Sequence, residues 1–175
     1  MAGAMALVGC QSDNAADALN ITPPASGQPE VRQSDLRAFC PQITLQEGTS
    51  RYETFERGAK EDPSRLVYQA SIGDVTRSCT HDGGITTVTV AVAGRIVPGP
   101  KGKVGTVNLP IRIVMLTNGA VDPANTATHQ HPVQIADTVG ATQFVFTKTG
   151  FSFPSGPASI QLIAGYDEGP APRRR

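Results

Sequence analysis

Three histidines are the residues in this chain best suited to bind something: His81, His129 and His131. His129 and His131 stand two apart, so on a strand their imidazoles share one face. Such a pair can hold copper or zinc through ring nitrogens. His81, beside Asp82 on an expected turn, is the third candidate ligand if the fold brings it near. A closed metal site takes three or four ligands, and the alternative is two exposed histidines at a strand entrance before Pro132. Nucleophilic catalysis has less to stand on. Serines and threonines are plentiful, but no GxSxG elbow occurs. Ser155-Gly156 and Ser71-Ile72-Gly73 read as turn and strand residues. Asp74, Asp82, Asp137 and Asp167-Glu168 could supply carboxylate pairs, yet no spacing singles out two of them. Gly99 to Gly105 lacks Walker spacing and reads as a solvated hairpin loop. These patterns assign no catalytic residue and no cofactor, and we expect a non-enzymatic protein.

The three cysteines carry a stronger message. Met1 to Gly9 holds no charged side chain, and Leu7-Val8-Gly9-Cys10 looks like a bacterial lipobox, where cleavage before the cysteine leaves a thiol that carries lipid. A secretory signal also has a basic start. None is present, so we expect translation to begin upstream and residues 1–10 to be the remnant of a lipoprotein signal. Several acyl chains on Cys10 would hold a membrane stably, each buried methylene contributing about 0.8 kcal/mol. Gln11, rather than Asp, comes after the cysteine, which in lipoproteins of this appearance implies outer-membrane sorting. With Cys10 acylated, Cys40 and Cys79 remain as a pairable couple. An exported chain meets an oxidising compartment, where such thiols pair. Closing a loop of about 40 residues is worth roughly 4 kcal/mol in the chain-entropy model. Neither cysteine sits in a CxxC, and no histidine lies at zinc-finger spacing.

Composition narrows the remaining classes. In 175 residues, fifteen Lys+Arg balance fifteen Asp+Glu, for a formal net charge of zero. That disfavours a nucleic-acid binder, whose affinity comes largely from neutralised phosphates. No apolar run reaches the roughly 18 to 20 residues of a transmembrane helix. Residues 11–35 are poor in apolar side chains, carry three prolines and keep no period, so they read as a flexible linker. Arg173-Arg174-Arg175, after Pro170 and Pro172, reads as a loose basic tail over 170–175.

From Ile43 onward the period is two, the mark of strands. Ile43 and Leu45 alternate with polar neighbours. Leu66, Tyr68, Ala70 and Ile72 share a face, and a bend is expected at Gly73-Asp74. A short strand around Arg77–Thr80 ends at Asp82-Gly83-Gly84, a hairpin signal. Val88, Val90 and Val92 alternate with Thr87, Thr89 and Ala91. Val107, Leu109, Ile111, Ile113 and Met115 align next, with Arg112 opposite. Pro110, which cannot donate to a ladder, marks that strand as an edge or as bulged. Val133 and Ile135, then Phe144 and Phe146, then Ile160, Leu162 and Ala164 complete the set. The spacing predicts a loop over Asn118–Thr128 and a short helical turn near Arg51–Lys60. Seven or eight strands over residues 36–169 predict an all-β fold, an antiparallel β-sandwich that is immunoglobulin-like or related.

The segments Arg65–Cys79 (RLVYQASIGDVTRSC), Ala91–Val104 (AVAGRIVPGPKGKV), Gly140–Phe146 (GATQFVF) and Gly165–Gly169 (GYDEG) resemble those of small alphaproteobacterial envelope lipoproteins. The likeness spans residues 36 to 169 and includes the lipobox. It implies Cys10 as the lipid site and an outer-membrane protein facing the periplasm, and it implies no activity. The stretch 118–131 departs from it, being less hydrophobic than the strand expected there. The expected function is that of a membrane-anchored structural or interaction module with an envelope protein as partner. The alternative is a periplasmic metal-binding protein using the His-x-His pair.

Overall fold

The computed structural model describes residues 39–59 and 61–167. Cys10, the linker 11–35 and the tail 170–175 lie outside the described residues. The described residues form nine strands and no α-helix: β1 (Ile43–Leu45), β2 (Arg51–Phe55), β3 (Leu66–Asp82), β4 (Ile85–Pro98), β5 (Gly105–Thr117), β6 (Ala120–Val121), β7 (Ala127–Ile135), β8 (Thr142–Pro154) and β9 (Ile160–Tyr166). One sheet runs β2-β3-β4-β8; the other runs β1-β9-β5, with β6 and β7 both pairing β5. Every pair is antiparallel except β1 with β9. The inner faces of both sheets enclose one core (Val88, Val90, Val92, Leu109, Ile111, Ile113, Met115 and Leu162 among its buried members). This is the expected β-sandwich. Its last two strands lie in opposite sheets, whereas an immunoglobulin domain keeps them together, so it belongs to the related architectures.

Two bulges carry the long strands through their changes of phase. In β3 the partner of Ile72 is Gly94 and that of Asp74 is Ala93, so Gly73 is the extra residue. Ala70 and Ile72 face inward before it; Val75, opposite Val92, and Cys79, opposite Val88, face inward after it. The bend expected at Gly73-Asp74 is therefore a bulge inside one continuous strand. In β8, Gly150 plays the same part between Thr149 and Phe151, with φ of 107°. Phe144 and Phe146 on one side and Phe151 and Phe153 on the other all reach the core. The Asp82–Ile85 turn closes through Gly83 (φ 54°) and Gly84 (φ 80°), as a two-residue hairpin requires.

Three expectations are corrected. Arg51–Phe55 is a strand rather than a helical turn: Tyr52 pairs Ala70 on β3 and lays its ring 5.6 Å from that of Tyr166. The stretch 118–128 is not one loop. Asn118 (φ 53°) and Gly119 (φ 81°) turn β5 into β6, a 3-10 turn comes next at Pro123–Asn125, and β7 begins at Ala127. Finally, β5 is central and unbulged at Pro110, which pairs Gln130 on β7. The Pro110 carbonyl accepts from the Asp167 N–H at 2.8 Å, so its nitrogen faces the β9 side. The β9 ladder has already ended there at Ile111–Tyr166, and no ladder bond is lost.

Candidate functional site

The sequence that builds the site is β7, ATHQHPVQI, an edge strand whose ladder partner is β5. Register sets His129 beside Ile111, His131 beside Leu109 and Val133 beside Val107. Ile111 and Leu109 are fully buried, so both imidazoles face the interior. The two histidines do share a face, and it is the inner one.

Across the sandwich they meet β8. The His129 ring lies 5.5 Å from Phe146; the His131 ring lies 5.6 Å from Phe146 and 5.8 Å from Phe144. These centroid separations fall in the range of favourable aromatic pairs. Phe146 thus packs against both imidazoles, while both histidines remain half-buried. His129 Nε2 is buried with no hydrogen-bond partner. Burial lowers the pKa of both histidines below the usual value, and Lys148 adds to the effect at His129, because a charged imidazole loses hydration and meets a like charge. At neutral pH the pair is therefore two uncharged rings, able to pack and, through their nitrogens, to ligate.

The third histidine is elsewhere. Phe146 pairs Val92, which pairs Val75, and His81 lies six residues farther along β3, roughly 20 Å at strand rise. The structure brings His129 and His131 together and leaves His81 apart. Among the described residues no group of three His, Cys, Asp or Glu side chains could hold a metal ion. His81 instead joins a chain of hydroxyls: its Nδ1 lies 3.0 Å from Thr86 Oγ1, which lies 2.7 Å from Ser155 Oγ. Thr86 is 1% exposed, and a buried hydroxyl needs partners. The Ser155 N–H also donates to the Gly84 carbonyl at 2.8 Å, so this cluster fastens the β8–β9 loop to the β3–β4 hairpin.

Of the carboxylates weighed in the sequence, Asp74 and Asp82 lie in β3, Asp137 lies between β7 and β8, Asp167 comes just after β9, and Glu168 lies outside the described residues. Asp137 accepts from the N–H groups of Val139 and Gly140, both at 2.9 Å, and these bonds hold its pKa below the ordinary value. Asp74 accepts from the Val75 N–H and Asp167 from the Thr128 hydroxyl. In the Gly99–Gly105 loop the Gly99 and Lys101 N–H groups are spent on the carbonyls of Val67 and Leu66, which leaves the loop's backbone folded on β3 rather than cradling a phosphate.

Cys40 and Cys79 form a disulfide, with Cα atoms 5.8 Å apart. It joins the segment just before β1 to β3, and Arg77 Nε donates to the neighbouring Pro41 carbonyl at 2.6 Å. Two further residues matter that sequence reasoning passed over. Lys148 sits opposite Val90 on the inner side of β8. Asn125 donates from Nδ2 to the Ser152 carbonyl at 3.4 Å and accepts from the Ser152 N–H at 3.2 Å, capping the β8 edge as a neighbouring strand would.

Compared with family models, curated proteins and solved structures, the chain matches none.

Proposed function

We propose that the protein is a non-enzymatic interaction module of the bacterial cell envelope, held at the outer membrane, facing the periplasm, by lipid on Cys10. The observation that carries this reading is the Cys40–Cys79 disulfide, whose chemistry belongs to an oxidising compartment. Its position fits a tethered domain. Force arriving along residues 11–35 meets Cys40 first and passes through the covalent link into β3, in the middle of a sheet.

The working surface in this reading is the free edge of β8 over Thr142–Thr147, where an envelope protein adds a strand. Farther along, the same edge is guarded. Lys148 sits exposed in the inner-face register opposite Val90, Gly150 bulges, Asn125 caps Ser152 and Pro154 ends the strand; charges, bulges and prolines are the features that keep edges from pairing. Over Thr142–Thr147 there is no charge and no proline, and Val145 is 62% exposed.

The test is membrane fractionation with mass spectrometry of the N-terminal peptide, on protein expressed from its native gene beside a Cys10→Ala control. Acylated Cys10 in the outer-membrane fraction, with a partner that a Val145→Lys variant fails to capture, supports the reading. Unmodified, freely soluble protein with Cys40 and Cys79 as thiols refutes it.

A further inference from the structure

We propose that His129 and His131 form an acid-sensitive latch: protonated, they release β7 from β8 and open that flank of the sandwich. The latch does not depend on the anchoring and partner reading.

β7 and β8 are the outermost strands of their sheets on this side, and between His129 and His131 the closure consists of imidazoles packed on Phe146 and Phe144. A neutral imidazole suits such a surface. An imidazolium there must surrender hydration, and its Nε2–H at position 129 would be a buried charged donor without an acceptor, among the more costly arrangements in a protein interior.

Among the described residues the surroundings offer no compensation. From β8 the charged group facing the pair is Lys148, of like sign. From β5 the inward neighbours are Leu109, Ile111 and Ile113, and from β4 they are Val90, Val92 and Gly94. Arg77, opposite Val90 on β3, is exposed and donates its Nε–H to the Pro41 carbonyl on the far flank, so it brings no negative charge to the pair. Tyr166, on β9 beside Ile111, is a buried phenol that burial keeps neutral. Asp167, the carboxylate next along the chain, accepts from Thr128 on the outer side of β7. Cations meeting on an apolar face, with no inward carboxylate among these neighbours, push the strands apart.

The moving part is bounded. Val133 and Ile135 are buried against β5 and keep the end of β7 in place. Asn125 holds the β8 edge at Ser152 beyond the other end. Opening is therefore local to Ala127–Pro132, and it uncovers Phe144 and Phe146.

Hydrogen exchange at pH 7.5 and pH 5.0, corrected for intrinsic rates, tests this on the folded protein. The expected result is an about threefold loss of protection over Ala127–Pro132 at the lower pH, with β4 unchanged. That is less than the tenfold per pKa unit of a fully desolvated group, because these rings are only half-buried. The variant H129Q/H131Q loses the pH dependence. Lys148→Glu, at an exposed position, supplies the missing counter-charge and shrinks the pH effect, and it serves alone if the double variant does not fold. Equal protection at both pH values in the parent protein overturns the proposal, as does a pH response that Lys148→Glu leaves unchanged.

Discussion

The two flanks of the sandwich are closed by different chemistry. On one, the segment before β1 is joined to β3 by the Cys40–Cys79 disulfide, Arg77 holds the Pro41 carbonyl, and Tyr52 packs on Tyr166. Backbone bonds add to it: the Tyr166 N–H donates to Thr49, and the Ile72 N–H to Ser50, so the β1–β2 connection is knitted to both sheets. On the other flank, β7 and β8 meet through His–Phe contacts and the Asn125 clasp. A covalent link is indifferent to pH and restrains even the unfolded chain, whereas ring packing depends on protonation and vanishes when the strands part. One flank is closed covalently and the other by contacts whose strength depends on the protonation of two imidazoles.

The largest expected effect breaks the first flank. Replacing Cys40 and Cys79 together by Ser removes a cross-link spanning 39 residues, worth about 4 kcal/mol in the chain-entropy model. Urea denaturation should show that loss, and a parent protein assayed in reducing agent should match the variant. A difference below about 1 kcal/mol would mean that non-covalent contacts alone fasten this side. Phe146→Ala addresses the opposite flank: Phe146 is 8% exposed, and truncating a core phenylalanine costs about 3 kcal/mol. The loss should come with a weaker pH response, since the variant removes the surface on which the imidazoles pack.

Much of this contrast is legible in the sequence, for identifiable reasons. The disulfide comes from counting, and Val88, Val90 and Val92 declare β4 because period two survives wherever one sheet face is buried. Phase changes are harder. Gly73 and Gly150 reset the alternation, so the inward set runs Ala70, Ile72, then Val75, Cys79, and tracking even positions alone loses the strand. Lys148 hides for a related reason, since it continues the even-numbered face of Phe144 and Phe146 where another apolar residue is expected. Asn118-Gly119 did carry a local signal, the Asn-Gly dipeptide of tight hairpins, but β6 is two residues long and no periodicity supports it. For the histidines, spacing fixes that they share a face. Which face depends on the register with β5, a long-range property that i, i+2 spacing does not contain.

Asn125→Ala sharpens the comparison at smaller scale. The side chain satisfies both backbone groups of Ser152 and donates at 2.9 Å to Asp122. Its loss should cost about 1 kcal/mol, the net worth of an ordinary hydrogen-bonding group. Exchange protection should fall at Ser152 and its neighbours on β8, with the β2–β3 ladder unaffected. Loss of protection in both sheets would mean that the clasp supports the whole domain rather than one edge.

The smallest effect is the pH dependence of overall stability, and its sign is fixed by the two histidines. Their folded pKa values lie below the ordinary one, so the unfolded chain takes up protons first as pH falls. Stability is therefore at its full value above about pH 6.5, the pKa of an unperturbed imidazole. It declines as pH falls from there toward the lowered folded values, and below them this contribution stays lost. Asp62, Asp122 and Asp137, each held below its ordinary pKa by hydrogen bonds to turn residues, act at a lower pH, where their contribution fades as the carboxylates protonate. The two decline regions can thus be separated in denaturation midpoints measured from pH 7.5 to pH 3. The H129Q/H131Q variant should abolish the upper one and spare the lower. If the upper decline persists in that variant, some group other than this pair senses pH, and the contrast between a covalently closed flank and a pH-responsive one is lost.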